Sequence, residues 1–266
     1  MAHEQLLHLA RTVAIDAGRL ASLRRTEGIE VAATKSSPVD VVTAADREVE
    51  AFIRSVLADA RPGDGFLGEE SGAGDSSTGL TWVVDPIDGT VNYLYGIPHY
   101  AVSVAVVEGA PDPSTWSALA GCVYNPSTGE TFTGVVGGGA FCDGESIGVA
   151  ASVDLSQALI ATGFAYDSDV RAQQGRIVAG LLPLVRDVRR LGTASLDLCF
   201  VAAGRCNAYF ERTLSPWDHA AGALIAREAG AVVKGWGGER AGRDLVLAGH
   251  PDVIVRLEAA LDTIGR

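Results

Sequence analysis

The sequence contains no apolar run approaching the roughly 20 residues that cross a bilayer, which excludes a helical membrane span. Its first residues, Met1-Ala-His-Glu-Gln-Leu-Leu-His, lack a basic stretch and a signal-type cleavage pattern, so a cytoplasmic protein is expected. Positive charge is in deficit, with Lys+Arg 21 against Asp+Glu 33 and a formal net charge of −12. Such a surface repels phosphate backbones and anionic lipid, and direct nucleic-acid binding is not expected. Cysteine is scarce. Cys122, Cys142, Cys199 and Cys206 stand in apolar surroundings without C-x-x-C spacing, which argues for reduced thiols rather than disulfides or a zinc site. Internal repeats and long linkers are also absent.

What remains is an ordinary globular composition, 47% hydrophobic and 20% charged over 266 residues. Strand-like and helix-like segments alternate, with hairpin signals in the middle, which predicts a mixed α/β fold of helices layered on sheets. A single domain over 1–266 is expected, built from two halves of about 1–150 and 151–266. Leu6, Leu9, Ala10, Val13, Ala17, Leu20 and Ala21 recur at helical spacing, predicting a helix to about Leu23. Val49, Phe52, Ile53, Val56 and Leu57 mark a second helix starting near Thr43. Residues 71–80 read as a flexible connector of small polar residues.

The informative stretch is residues 82–100. Trp82-Val-Val84 reads as a buried strand that stops at Asp85-Pro86, because proline denies the ladder a donor. Asp88, Gly89 and Thr90 follow, so two carboxylates and a glycine turn stand just beyond a strand, suited to metal ions that hold a phosphate. Taken alone, D-x-x-D-G-T is better explained by an Asx-type turn; the remaining acids reverse that balance. Further acids stand at other element ends: Asp46 near a helix start, Glu69 after the short step Phe66-Leu67, and Asp218 at the start of a long helix. Thr43-Ala-Ala-Asp46 also matches a capping box, which would account for Asp46 without chemistry. Carboxylates meeting in one place repel by several kcal/mol at an effective dielectric of ~20 unless cations separate them. Oxygen-only donors favour Mg2+, with Mn2+ as a substitute. A pair of such ions about 4 Å apart would polarise a phosphoryl oxygen and acidify a water.

Three apparent motifs carry less. Gly144-Glu-Ser146-Ile-Gly148 has the nucleophile-elbow pattern but follows an Asp-Gly turn, so a hairpin serine is expected. Cys199 and Arg205 have the spacing of a cysteine-phosphatase loop, yet Cys199 lies in an apolar helical stripe. His219 neighbours Asp218, but adjacent helical residues point about 100° apart, so it should face away.

Taken together, Lys35-Ser-Ser-Pro-Val-Asp40 through Asp46, Gly68-Glu69-Glu70-Ser71, Trp82-Val-Val-Asp85-Pro-Ile-Asp88-Gly89-Thr90-Val-Asn92, and Trp217-Asp218 followed by Ala220-Ala-Gly222 resemble the inositol monophosphatase family in its bacterial, actinobacterial-type branch. The resemblance runs nearly end to end. It implies an αβαβα layered sandwich of the sugar-phosphatase type, a homodimer, and Mg2+-dependent hydrolysis of myo-inositol monophosphate with sensitivity to lithium. It further implies two or three Mg2+ per subunit, held by Glu69, Asp85, the Ile87 carbonyl, Asp88 and Asp218. Thr90 and Asp46 would orient the attacking water, with Glu69 counted among the catalytic side chains. Substrate contacts are implied on Asp88, Gly89, Thr90, Gly192, Thr193, Ala194 and Glu211, with Lys35 an electrostatic neighbour. Glu211 can equally be a solvated strand end. The alternatives are a phosphatase for histidinol phosphate, a 3′-phosphonucleotide or a sugar bisphosphate, or a regulatory binding protein of the RNA and transcription machinery. For the last, Arg186, Arg189 and Arg190 are the one notable basic cluster.

Overall fold

The structure is a computed structural model that describes residues 2–28, 31–34 and 41–265. The first half comprises α1 (Ala2–Glu27), β1 (Val31–Thr34), β2 (Val41–Thr43), α2 (Ala44–Ala60), β3 (Gly65–Gly68), β4 (Gly72–Ala73), β5 (Leu80–Asp88), α3 (Thr90–Tyr95), β6 (Ala101–Glu108), β7 (Ser117–Tyr124), β8 (Thr131–Val135), β9 (Gly139–Cys142) and β10 (Glu145–Ser146). The second half comprises β11 (Leu159–Thr162), α4 (Ser168–Leu181), β12 (Asp187–Arg189), α5 (Ala194–Ala202), β13 (Ala208–Glu211), α6 (Pro216–Glu228), β14 (Val232–Lys234), β15 (Val246–Gly249) and α7 (Pro251–Ile264). One mixed sheet runs β10-β9-β8-β7-β6-β5-β3-β4, and a second runs β12-β11-β13-β15-β14.

Side-chain alternation along β5 explains the layering. Trp82, Val84 and Ile87 pack with the apolar stripes of α1 and α2, whereas Val83 packs with α5 and α6 on the opposite face. The second sheet takes α5 on one face and α4 with α7 on the other. The order is therefore α1/α2, first sheet, α5/α6, second sheet, α4/α7, which is the αβαβα sandwich. Strands covered on both faces read as continuous apolar runs, as Val104 to Val107 does. Gly121 and Gly134 let α6 lie close on the first sheet, since a Cβ on them would stand 3.0 Å from the Ala221 Cα and 3.1 Å from the Ile225 Cα.

Four expectations need correction. First, β5 does not stop at Pro86 but continues to Asp88, with an irregularity against β6 between Asp85 and Asp88. On its other edge β3 pairs only as far as Val84, so the missing Pro86 N–H falls where no partner strand needs it. Second, α1 runs a turn beyond Leu23, to Glu27. Third, the connector after Ser71 is tied down: β4 pairs with β3, Thr78 Oγ1 donates to Asp64 Oδ1 at 2.7 Å, and Ser77 N donates to the Gly63 carbonyl at 2.9 Å. Fourth, the exposed arginines of the basic cluster are each engaged with a neighbour. Arg186 bonds Gln157, Arg189 pairs with Asp187 at 2.6 Å, and Arg190 stacks over Phe164 with its guanidinium carbon 5.7 Å from the ring centroid.

Candidate active site

The parallel register of β3 and β5 sets Gly68 beside Val84, so Glu69, the next residue, comes abreast of Asp85. Asp85 shares a sheet face with Val83 and so points into the layer where α6 begins. Asp218 stands in the first turn of α6 in a capping box, its Oδ2 accepting from Ser215 N at 2.6 Å. Asp88, at the end of β5, reaches the start of α5, where Ser195 N donates to its Oδ2 at 2.7 Å. A carboxylate is favoured at a helix N-terminus by unpaired N–H groups and the helix dipole.

Charge confirms the proximity of this set. Burial, then Glu69, Asp88 and Asp218, raise the Asp85 pKa well above the ordinary carboxylate range. Burial, then Glu69 and Asp88, do the same to Asp218. Asp88 is pushed up to about 6 by burial, opposed by the N–H groups of Ser195 and Ala194 and by Arg190. These are mutually repelling carboxylates with too little positive charge between them.

Asp46 serves two purposes at once. Its Oδ2 accepts from Thr43 N at 2.8 Å and from Thr43 Oγ1 at 2.5 Å, closing the capping box of α2. Its Oδ1 faces Thr90, whose hydroxyl lies 3.1 Å away and also 3.1 Å from the Ile87 carbonyl. The two explanations of Asp46 are thus compatible. Burial pushes its pKa up to about 6.

Gly89 has φ +92°, and a Cβ there would meet Thr193 Oγ1 at 2.5 Å and the Gly192 carbonyl at 3.2 Å. Only glycine lets the Gly192–Ala194 loop close over the turn. Asn92 Nδ2 donates to the carbonyls of Leu191 and His99 at 2.8 Å each, pinning that loop, and Thr193 Oγ1 donates to the His99 carbonyl at 3.1 Å. Glu211, partly buried at the end of β13, accepts from Tyr209 Oη at 2.6 Å, and burial pushes its pKa up to about 7. Glycine at 163 makes room for it, because a Cβ there would stand 2.0 Å from Glu211 Oε2. The sequence candidates Glu69, Asp85, Ile87, Asp88, Gly89, Thr90, Gly192, Thr193, Ala194 and Asp218 are therefore neighbours around the ends of β3, β5, α5 and α6. Lys35 lies outside the described residues.

Sequence reasoning missed three charged residues here. Asp197 is 1% exposed on α5 with neither carboxylate oxygen hydrogen-bonded. Burial, then Glu211 and Asp88, push its pKa well up. Arg190 supplies positive charge to Asp88, Asp197 and Glu211. Glu50, four residues after Asp46 on α2, is 3% exposed and accepts from Glu70 N at 2.8 Å. Helical spacing from Asp46 was the available signal for Glu50.

The other motifs resolve simply. Cys199 is fully buried with its thiol pushed well up by burial, so it is no nucleophile. Ser146 pairs with Phe141 in the β9–β10 hairpin. His219 is 3% exposed and packs near Trp116, and burial lowers its pKa to about 4. It lines a cavity of about 370 Å3 together with Leu214, Trp236 and Arg240, and none of the candidate site residues borders that space.

Among the described residues no group of three or more His, Cys, Asp or Glu side chains stands arranged to hold a metal ion. The donor set nonetheless fits hard divalent cations: all its atoms are oxygens, and burial and mutual repulsion raise the pKa of Asp85 and Asp218, a repulsion that bound cations would relieve.

The whole fold has relatives. The sequence profile of the inositol monophosphatase family matches residues 2–262. An inositol-1-monophosphatase from Mycobacterium leprae is 44% identical, the match covering 97% of this chain and 94% of that protein. A protein from Vibrio cholerae named Nus factor SuhB is 38% identical, over 92% of this chain and 90% of its own length. The crystal structure of extragenic suppressor protein suhB from Bartonella henselae superposes with a TM-score of 0.87 at 35% identity, covering 97% of this chain and 98% of that one. Fold and matches together define a phosphatase enzyme. The chain belongs to the inositol monophosphatase family.

Proposed function

We propose that the protein is a Mg2+-dependent phosphomonoesterase acting on myo-inositol monophosphate or closely similar polyol phosphates. The observation that carries this reading is the group of Asp85, Asp88 and Asp218 beside Glu69, buried acids that raise one another's pKa. Glu69, Asp85, Asp88, Asp218 and the Ile87 carbonyl would hold the metal, Mg2+ or Mn2+, two or three per subunit. When bound, the ions polarise the phosphoryl oxygens and make a water a better nucleophile.

The chain's own groups do the rest. The N–H groups of the Gly89 turn receive phosphate oxygens, and the loop of Gly192, Thr193 and Ala194 limits how the ester lies. The Thr90 hydroxyl donates to Asp46 Oδ1, which leaves the Thr90 oxygen free to accept from the attacking water and aim it. As the water oxygen bonds to phosphorus, the ester P–O bond breaks and the alkoxide leaves with the bonding electron pair, taking a proton from solvent water. The attacking water's proton passes to Thr90 Oγ1 and the Thr90 proton to Asp46 Oδ1. A carboxylate with a pKa of about 6 can accept it near neutral pH. Glu211 accepts hydrogen bonds from sugar hydroxyls. The two halves would act as one catalytic unit, in a cytoplasmic homodimer. Among the described residues no helix is long and apolar enough to cross a membrane.

The test is phosphate release from inositol 1-phosphate with and without Mg2+, with inhibition by lithium expected. A panel of histidinol phosphate, a 3′-phosphonucleotide and a sugar bisphosphate, compared by kcat/KM, identifies the substrate class. No turnover on any polyol or sugar phosphate would sink the reading. The relative named Nus factor SuhB supports a second role in the RNA and transcription machinery. Capture of that machinery by a catalytically dead variant, with cellular function preserved, would promote it.

A further inference from the structure

The geometry points to Glu50 as a positioning residue for the metal site, its buried carboxylate fixing the backbone that presents Glu69. This inference rests on the proposed function above and assigns a role to a residue outside that machinery.

Two acids lie one helical turn apart on the inward face of α2, Asp46 at 1% and Glu50 at 3% exposure. Asp46 faces Thr90. Glu50 faces the end of β3, where its Oε2 accepts from Glu70 N at 2.8 Å. Burying a carboxylate is costly, and the group it holds is the peptide immediately after Glu69. The neighbouring glycine is shaped to this contact: a Cβ on Gly68 would stand 2.4 Å from Glu50 Oε2 and 2.6 Å from its Cδ. Gly68 also pairs with Val84, the residue before Asp85. The segment carrying Glu69 is thus held by β5 on one side and by Glu50 on the other. Each hold fixes the spacing of Glu69 from Asp85 before any ion enters.

A ligand whose backbone is already fixed loses little freedom when it binds an ion, whereas a loose one must be ordered by the ion. Hydrogen-bond partners of metal ligands typically change metal affinity 10- to 100-fold when removed. Glu50→Leu keeps the bulk in an apolar setting but removes the acceptor. Glu50→Gln keeps an amide oxygen that can accept from Glu70 N. Comparing the two separates a hydrogen-bonding role from one of charge.

The experiment is titration of metal-free wild type, Glu50→Leu and Glu50→Gln with Mg2+ by calorimetry, alongside hydrogen exchange of the Glu70 amide without metal. Glu50→Leu is expected to weaken Mg2+ binding tenfold or more and to lose protection at Glu70. Glu50→Gln stays within about threefold of wild type with protection retained. At saturating Mg2+ the Leu variant recovers most of its kcat, because no group touching substrate has changed. Equal affinities in wild type and Glu50→Leu would overturn the inference, as would Glu50→Gln behaving like Glu50→Leu. Should Glu50→Leu not fold, loss of Glu70 protection in Glu50→Gln would overturn it and retention would support it. Wild-type protein that takes up no Mg2+ would instead bring down the proposed function, and this inference with it.

Discussion

Glu211 offers a way to read the acid pocket through stability, without metal or substrate. Its carboxyl ends β13, receives the Tyr209 hydroxyl at 2.6 Å, and is pushed by burial from 4.5 to about 7. A carboxyl whose pKa rises on folding stabilises the fold while protonated. That contribution is fully present below pH 4.5 and is lost as pH climbs through about 7. At ~1.4 kcal/mol per pH unit, the rise corresponds to about 3 kcal/mol between those limits. Water reaching a partly exposed group reduces this to about 1–2 kcal/mol. Glu211→Gln keeps an oxygen for Tyr209 and removes the ionisation. Urea unfolding of metal-free protein at pH 5 and pH 8 should show the variant about 1–2 kcal/mol more stable than wild type at pH 8, with most of that advantage gone at pH 5. Subtracting variant from wild type cancels His219, whose depressed pKa pulls the opposite way as pH falls. With Mg2+ and substrate, kcat/KM of the wild type should rise with pH on a limb that the variant lacks. The limb should lie below 7, because cations nearby favour the ionised carboxyl. Parallel pH–stability curves for the two proteins would refute the reasoning.

Asp85→Asn and Asp218→Asn should abolish Mg2+-dependent phosphate release while leaving metal-free stability at pH 7.5 unchanged or higher, since each removes a repelling charge. A loss above about 2 kcal/mol in urea unfolding would count against a shared acid pocket. Thr90→Val should cut kcat by about 10²–10⁴ with little change in KM, and Thr90→Ser should restore most of it. Equal losses in the two, one lacking the hydroxyl and the other only the methyl, would show that the hydroxyl bonded to Asp46 is not what sets the rate. Asp197→Asn should raise stability at pH 8 and leave it nearly unchanged well below pH 4, because a buried carboxyl without partners is destabilising only when ionised. Thermal melts at the two pH values check this, and a variant less stable at pH 8 would show that the carboxylate is needed.

The parts of the site legible in the sequence are those where chain chemistry and site chemistry coincide. Asp88, Asp46 and Asp218 stand at element ends, and glycine or capping residues mark those ends in the sequence itself. The five-layer order was legible only through the family resemblance, since alternation of strands and helices does not say which helices lie between two sheets. Pro86 misled, because proline removes a donor only where a partner strand would use it, and β3 ends opposite Val84. The ordered turn after Ser71 was hidden because its small polar residues bond to Gly63 and Asp64, a contact composition does not reveal. Glu50 and Asp197 escaped for another reason. Each stands inside a helix, where an acid ordinarily faces water; Asp197 is interior because α5 lies between the two sheets, and Glu50 because it faces inward from α2 toward the end of β3.

The position of α5 and α6 explains why the site forms where it does. Both helices lie between the two sheets, and both begin at the same end of the sandwich, α5 with Ser195 N on Asp88 and α6 with Asp218 in its first turn. Their N-termini therefore direct unpaired N–H groups and partial positive charge toward the ends of β3 and β5, where Glu69, Asp85 and Asp88 gather. That charge is too small to neutralise the acids, as their raised pKa values attest. Cations bound there would join residues of the first sheet to residues of the helical layer and, through α5, to the second sheet. Metal binding should accordingly stabilise both halves of the molecule together, so Mg2+ should slow amide exchange in β13 as well as in β5. Protection confined to β5 would mean that Asp218 and the start of α5 are not drawn in by the metal.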